Sequence, residues 1–247
     1  MFDILQERIK RKKAEIAVVG LGYVGLPLAV EFAKAGFNVN GIEIDKDRLN
    51  HILKKESYIT DISTDELKFV ILKKKFKAGG DFRILKDIDI IIICVPTPLK
   101  RKYEPDISYI KEAVKAISGN MKPGSLVILE STTYPGTTEE VILPLLEAPG
   151  FKHGKDFYLC FSPERIDPAN EKYPFNKIPK VIGGITKEAT LLGRLAYENV
   201  VPKVVPVSSP RVAETVKLLE NTFRIVNIGM IDELAMIAHK MGIDIWE

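Results

Sequence analysis

Gly20-Leu21-Gly22-Tyr23-Val24-Gly25 is the stretch on which the fold turns. It follows directly on the apolar run Ile16-Ala17-Val18-Val19 and leads into Leu26-Pro27-Leu28-Ala29-Val30-Glu31-Phe32-Ala33, so a glycine triplet stands between a strand and a helix. In that setting the first glycine permits a tight turn, the second lets the backbone approach phosphates, and the third lets helix and strand pack closely. The helix N-terminus meanwhile turns its N–H groups toward an anion. The triplet alone is a weak signal; its surroundings sharpen it. After Gly36, which suits a helix C-cap, Phe37-Asn38-Val39-Asn40-Gly41-Ile42 reads as a second strand ending at Glu43, roughly twenty residues past the motif. A carboxylate there accepts hydrogen bonds from ribose hydroxyls and repels a 2′-phosphate, which predicts NAD rather than NADP. A tight turn with no ligand is the plainer alternative, and the coincidence of strand, glycines, helix and acid argues against it.

Outward from this turn, strands alternate with helices from Glu15 onward, the pattern of a mainly parallel sheet covered on both faces. The expected fold is α/β: a Rossmann-like, doubly wound sheet followed by a long C-terminal helix. The Ile-rich run 89–95 is the clearest buried strand, too β-branched and too short for a helix, and runs 125–130, 157–161, 180–182 and 203–207 follow it. Ahead of the sheet, Phe2, Leu5 and Ile9 recur at helical spacing among charges, which predicts a leader helix over residues 1–14. Ser63-x-x-Glu66 and Thr137-x-x-Glu140 match capping boxes, and Pro105-Asp106 places an N-cap before a helix over 107–118. Behind the sheet, Ser209-Pro210 suits an N-cap and first helical residue. Val212, Val216, Leu219, Phe223, Val226 and Met230 then alternate four and three residues apart, up to a natural stop at Gly242. At about 1.5 Å per residue this helix is nearly 50 Å long, more than a covering helix needs. The organisation expected is therefore a leader helix (1–14), an NAD-binding domain (15–208) and a connector or dimer spine (209–247).

The 247 residues are enough for a sizeable core, and a net charge of +3 is spread among many acids and bases. The lysine-rich runs 10–13 and 73–77 read as helix faces or helix ends. Without aromatic residues interleaved among them they give no footprint for nucleic acid. Cys94 and Cys160 lie in apolar runs without metal-site spacing and read as buried, reduced thiols, so no metal is expected. No apolar stretch reaches the roughly eighteen residues of a membrane span, and the N-terminus lacks a signal-peptide pattern. A cytoplasmic protein with no membrane partner is expected.

Ligands of a doubly wound sheet bind beyond the carboxyl ends of its strands. Three of those places are chemically unusual. Val95-Pro96-Thr97-Pro98-Leu99 holds one hydroxyl between two prolines, and Glu130-Ser131-Thr132-Thr133-Tyr134-Pro135-Gly136-Thr137 is a hydroxyl cluster leading into a helix. Ser162-Pro163-Glu164-Arg165-Ile166-Asp167-Pro168 sets a carboxylate and a guanidinium at the mouth of the same crevice. A stiffened turn, a helix cap and a loop salt bridge are the respective bland readings.

These segments, with Gly-Leu-Gly-Tyr-Val-Gly-Leu-Pro at 20–27 and Ala213-Glu214-x-x-Lys217-Leu218-x-Glu220-Asn221, strongly resemble the nucleotide-sugar 6-dehydrogenase family over essentially the whole chain. The resemblance implies oxidation of a nucleotide sugar's C6 alcohol to a carboxylate by two hydride transfers to NAD, through an aldehyde and an enzyme-bound thioester. Ser162-Pro163-Glu164-Arg165 and the Pro-Thr-Pro loop look like the branch acting on UDP-N-acetylhexosamines, UDP-N-acetylglucosamine above all. Glucose-oxidising members commonly carry Phe-Leu after the Pro-Glu and a second Glu four positions on, where this chain has Arg165, Ile166 and Pro168. UDP-N-acetylmannosamine, UDP-glucose and GDP-mannose are the alternative substrates. By the same resemblance Gly20, Gly22, Tyr23, Val24, Gly25, Glu43, Arg48, Thr97 and Thr132 contact NAD. Lys217, Asn221, Glu164 and Thr132 carry the catalysis, and Glu164, Arg165, Lys217 and Asn221 meet the substrate. Lys217 and Asn221, four apart on one helix face, suit the stabilisation of an oxyanion; the bland role for Lys217 is an ion pair with Glu214 or Glu220. The family's nucleophilic cysteine, in a Gly-Phe-Gly-Gly-x-Cys segment, and its UDP-binding domain have no counterpart in these residues. The expectation is an NAD-binding half, inactive alone and dimeric through its long helix. Two readings from other classes stand beside it: a 3-hydroxyacid or 6-phosphogluconate type dehydrogenase, and a non-catalytic dinucleotide-binding module.

Overall fold

The computed structural model describes residues 1–101, 104–164 and 178–247. Among the described residues eight strands form one sheet: β1 (Glu15–Val19), β2 (Asn38–Ile42), β3 (Phe76–Gly79), β4 (Ile90–Ile93), β5 (Ser125–Leu129), β6 (Phe157–Phe161), β7 (Lys180–Gly184) and β8 (Val204–Val207). Eight α-helices of the same residues accompany them: α1 (Phe2–Lys10), α2 (Gly25–Lys34), α3 (Lys46–Lys54), α4 (Thr64–Leu72), α5 (Ser108–Ser118), α6 (Leu143–Glu147), α7 (Lys187–Tyr197) and α8 (Pro210–Lys240). The strand order β3-β2-β1-β4-β5-β6-β7-β8 reverses direction of growth at β1, so the crevice between β1 and β4 is the topological switch point. All neighbouring pairs are parallel except β6 with β7.

The central strands are buried on both faces, which is why their sequences run as near-continuous Val, Ile and Leu. Alternate side chains go to opposite layers: Ile16, Val18, Ile90, Ile92, Leu126 and Ile128 pack on one face. Ala17, Val19, Ile91, Ile93, Val127 and Leu129 pack on the other. The leader helix buries Leu5 and Ile9 against the first layer, and its Arg8 holds Asp89 at the foot of β4 with Nε donating over 2.9 Å.

Local signals set most helix ends as expected. Ser63 and Glu66 make a reciprocal capping box at α4, and Ser209 accepts from Val212 N at 3.3 Å at the start of α8. Gly36 follows α2 at φ +106° and Gly242 follows α8 at φ +71°. The Asp106 side chain accepts from Ser108 N at 3.0 Å, and α5 starts one residue later than the sequence suggests.

One local expectation is corrected. Thr137-x-x-Glu140 is no capping box: Thr137 is already helical, opens a π-helical turn over Thr138–Ile142, and spends its hydroxyl donating to the Tyr134 carbonyl oxygen at 2.7 Å. The run 73–77 begins at a helix end, one of its two readings: Lys73 caps α4, Lys74 turns the chain at φ +57°, and Phe76 begins the edge strand β3. An edge strand with one large apolar residue carries too little periodicity to announce itself. Among the described residues no helix is long and apolar enough to cross a membrane.

Candidate functional site

The glycine turn sits at the carboxyl end of β1, over the switch point. Gly20 holds φ +88°, and a Cβ there would lie 2.8 Å from the Cys94 carbonyl oxygen at the end of β4. A Cβ on Gly25 would overlap the Gly20 carbonyl oxygen, so the third glycine lets α2 close onto β1. Gly22 is different. The nearest atom to its would-be Cβ is the Arg48 guanidinium, 3.8 Å away, so nothing in the chain itself crowds the position. Its smallness is used only if something from outside comes close, and α2 starts there with Val24 supplying no side-chain cap. Turn and uncapped helix end therefore fit the diphosphate of a dinucleotide.

Glu43, at the tip of β2, is 5% exposed, and both its oxygens are engaged. Oε2 accepts from Leu21 N at 2.9 Å and from Arg48 at 3.3 Å; Oε1 accepts from Ile44 N at 2.8 Å and Asp45 N at 3.1 Å. The carboxylate thus ties the glycine turn to β2. Of its four partners only Arg48 is a side chain, and it is partly exposed; the other three are main-chain N–H groups. Between these groups and α5 opens a cavity of about 710 Å³. Gly20, Gly22, Glu43 and Arg48 line one wall, Pro96, Pro98 and Tyr109 another, with Thr97 between the two prolines. Tyr23 stands exposed at the turn, and Val24 packs half-buried on the core.

At the next strand ends the hydroxyl cluster divides its work. Ser131 donates to the Val95 carbonyl oxygen at 2.7 Å, locking the Pro-Thr-Pro loop to β5, and Thr133 donates to Thr137 at 2.6 Å. Thr132, between them, is exposed. Glu214 is fully buried and accepts from Gly136 N at 2.6 Å, Thr138 N at 2.9 Å and the Thr138 hydroxyl at 2.6 Å. Burial raises its carboxyl above the ordinary range, and those hydrogen bonds pull it back. The bland alternative of a Lys217–Glu214 ion pair does not form: Glu214 bolts α8 to the helical start after β5. One turn on, the Lys217 ammonium donates instead to the main-chain carbonyl of Glu164. Lys217 is half-buried, and burial lowers its pKa below a lysine's usual value while Glu164 and Glu220 oppose the shift. Asn221 is exposed one further turn along α8, where it and Lys217 line a groove of about 450 Å³. Arg165 lies outside the described residues.

One constellation escaped the sequence reading altogether. Lys180, the first residue of β7, is 3% exposed, and its ammonium donates to Glu130 Oε2 and to Glu164 Oε2, each at 3.0 Å. Tyr197 of α7 donates to the other oxygen of Glu130 and presents its ring 5.3 Å from the Lys180 nitrogen. The only hint in the sequence is a lysine opening an otherwise apolar strand. Burial alone would lower the Lys180 ammonium; the two carboxylates overcome it and hold it above its usual range. Burial drives the Cys94 thiol well up, with Glu130 adding to it, and does the same to Cys160. Neither is a ready thiolate.

A dinucleotide cradle and a lysine–glutamate pair thus share the carboxyl edge of one sheet. Residues 14–201 match the model of the UDP-glucose/GDP-mannose dehydrogenase family, NAD binding domain, and residues 211–247 match that family's central domain. The chain belongs to the UDP-glucose/GDP-mannose dehydrogenase family. Among its curated relatives are a UDP-N-acetyl-D-mannosamine dehydrogenase of Pyrococcus horikoshii, 38% identical over 94% of this chain and 56% of the relative. A UDP-N-acetyl-D-glucosamine 6-dehydrogenase of Pseudomonas aeruginosa is 39% identical over 94% and 55%. The solved structure of the P. horikoshii UDP-D-ManNAc dehydrogenase superposes with a TM-score of 0.87 at 37% identity, covering 94% of this chain and 56% of that one. The chain spans about half the length of the relatives it matches. In this member of the dehydrogenase family, the glycine turn, Glu43, Thr132 and Glu164 fall within the NAD-binding domain, and Lys217 and Asn221 within the central-domain match.

Proposed function

We propose that this chain is the NAD-binding half of an enzyme that oxidises the C6 hydroxyl of a UDP-N-acetylhexosamine, UDP-N-acetylglucosamine in the first place, to the uronate. The observation that carries the reading is the single edge on which the diphosphate cradle at Gly22 and the Lys217–Glu164 contact both lie. Gly20, Gly22, Tyr23, Val24 and Gly25 hold the diphosphate; Glu43 and Arg48 take the adenosine ribose, and Thr97, in the loop whose Pro96 and Pro98 line the opposite wall, meets the cofactor as well. NAD, when bound, accepts the hydride leaving C6.

Thr132, exposed on the β5 end, orients the substrate hydroxyl. Glu164 takes up the proton that hydroxyl gives up, and Arg165 is assigned to the substrate as well. The Lys217 ammonium, with its charge facing the site, stabilises oxygen anion as it develops, and Asn221 donates to the same oxygen. Completion to the acid requires a nucleophile, and buried, high-pKa Cys94 and Cys160 do not suit the role. The 247 residues alone are therefore proposed to bind NAD without forming the uronate. UDP-N-acetylmannosamine is the second reading, favoured by the P. horikoshii relative. We further propose a cytoplasmic homodimer joined along α8, whose Phe223, Val226 and Met230 are exposed.

The test is to express the protein from its native reading frame and follow NADH formation with UDP-N-acetylglucosamine, UDP-N-acetylmannosamine and UDP-glucose. Two NADH per UDP-N-acetylglucosamine, with the other sugars slower, is the expected result. Turnover of none of the three would refute the reading. For the 247-residue chain, NAD binding without uronate formation is expected, and light scattering showing a monomer would refute the dimer.

A further inference from the structure

We propose that Tyr58 is a positioning residue for NAD, fixing the peptide between Leu21 and Gly22 so that the glycine turn keeps its N–H groups presented to the diphosphate. The inference rests on the proposed dehydrogenase reading. Leu21 is held at its side chain and at both of its main-chain polar groups. The side chain is fully buried over Gly41 of β2, where a Cβ would come within 2.6 Å of it, and the N–H donates to Glu43 at 2.9 Å. The carbonyl oxygen accepts from the Tyr58 hydroxyl at 2.6 Å. Gly22, Tyr23 and Val24, which follow, give their N–H groups to no acceptor among the described residues. Tyr58 lines a recess of about 260 Å³ that shares Gly22 and Arg48 with the cavity of about 710 Å³, and it does not itself line the larger cavity. It acts through the turn rather than by touching the cofactor.

The Tyr58 bond controls a rotation that nothing else in the turn opposes. A trans peptide is planar, so the Leu21 carbonyl and the Gly22 N–H point in opposite directions, and fixing the first directs the second. Such a peptide turns over by rotating about ψ of Leu21 and φ of Gly22, and Gly22 lacks the Cβ whose contacts would resist it. The residue that makes room for a phosphate thus leaves the peptide before it poorly constrained by its own sterics. The Glu43 bond falls on the preceding peptide, between Gly20 and Leu21, and does not prevent the rotation. A donor from outside the turn does. Burial above all, with Glu43 adding to it, raises the pKa of the Tyr58 phenol, so it stays a donor through the neutral and mildly alkaline range. The connection between α3 and α4 that carries Tyr58 is itself fastened. Ser57 N donates to Thr64 Oγ1 at 3.1 Å, and Ile59 and Ile62 bury their side chains in the core layer that holds Leu21. A partly exposed tyrosine could satisfy its hydroxyl with water; this one instead reaches a carbonyl of the cofactor turn.

The experiment compares wild type with Tyr58→Phe, which keeps the ring and removes one oxygen, in the protein expressed from its native reading frame. In calorimetric titrations NAD and ADP-ribose should each bind about 5- to 10-fold more weakly to the variant. Adenosine, which has no diphosphate, should bind both proteins alike in an NMR titration, and the melting temperature should fall by no more than about 4 °C. In the ligand-free proteins, ¹⁵N relaxation dispersion should find the Gly22 amide in exchange in the variant and not in wild type. Unchanged NAD affinity, an equal loss for adenosine, or a Gly22 amide that behaves alike in both proteins would overturn the proposal. If wild type itself binds no NAD, the proposed function fails, while the Gly22 amide still decides whether Tyr58 sets the turn.

Discussion

Alanine substitutions at the three turn glycines separate what the fold needs from what the ligand needs. At Gly25 a Cβ overlaps the Gly20 carbonyl oxygen, an immovable backbone atom, so Gly25→Ala has to push α2 off β1. Overpacking of that kind costs about 3 kcal/mol or more. Gly20→Ala adds left-handed strain at φ +88° to a 2.8 Å approach to Cys94, with a similar outcome. Gly22→Ala meets nothing closer than the Arg48 guanidinium at 3.8 Å and has no positive φ to strain it. It should leave stability unchanged or raise it by about 0.4–1 kcal/mol through the unfolded chain. Its methyl group projects into the space assigned to the diphosphate, where a misfit of about 1–3 kcal/mol weakens NAD roughly 5- to 150-fold. Urea unfolding and calorimetric titration with NAD, on the same preparations, make the measurement. A Gly22→Ala protein that binds NAD as tightly as wild type would show that no phosphate rests on this turn. One that unfolds as readily as Gly25→Ala would show that the chain, not the ligand, demands the glycine.

Glu43→Gln keeps the side chain's shape and removes the charge that repels a 2′-phosphate. The preference for NAD over NADP should fall about tenfold in paired titrations. Glu214→Ala deletes a buried carboxylate that serves Gly136 N, Thr138 N and the Thr138 hydroxyl; an expected loss of about 3 kcal/mol is read from urea unfolding. His153 is held below its ordinary 6.5 by burial, and its Nε2 accepts from Leu159 N at 3.1 Å, which needs the neutral ring. Because its folded pKa lies below the unfolded one, its contribution is present above pH 6.5 and is lost as pH falls from there through the folded value. Melting temperature should drop between pH 7 and pH 5, and His153→Gln should flatten that part of the curve.

The glycine spacing, the β-branched runs and the caps at Ser63 and Ser209 settled the doubly wound sheet and the long helix, because each is a signal carried within a few neighbouring residues. Strand β3 was missed because a four-residue edge strand needs β2 beside it before its pattern means anything. The same division runs through the site. Gly20, Gly22, Gly25 and Glu43 were legible as a motif with an acid at fixed distance; Lys217 and Asn221 were legible as a helical pair. That Glu43 is first of all a clasp on Leu21 and Arg48, or that Glu214 fastens α8 to Thr138 rather than meeting Lys217, was decided only when β1, β2, β5 and α8 came together. Nor could Glu130, Glu164, Lys180 and Tyr197 be recognised as one cluster from residues spread across four segments. Backbone conformation answers to local sterics and short-range hydrogen bonds, which the sequence displays directly. The partner of a buried charge is whatever the packed sheet brings within 3 Å of it, and that follows from topology.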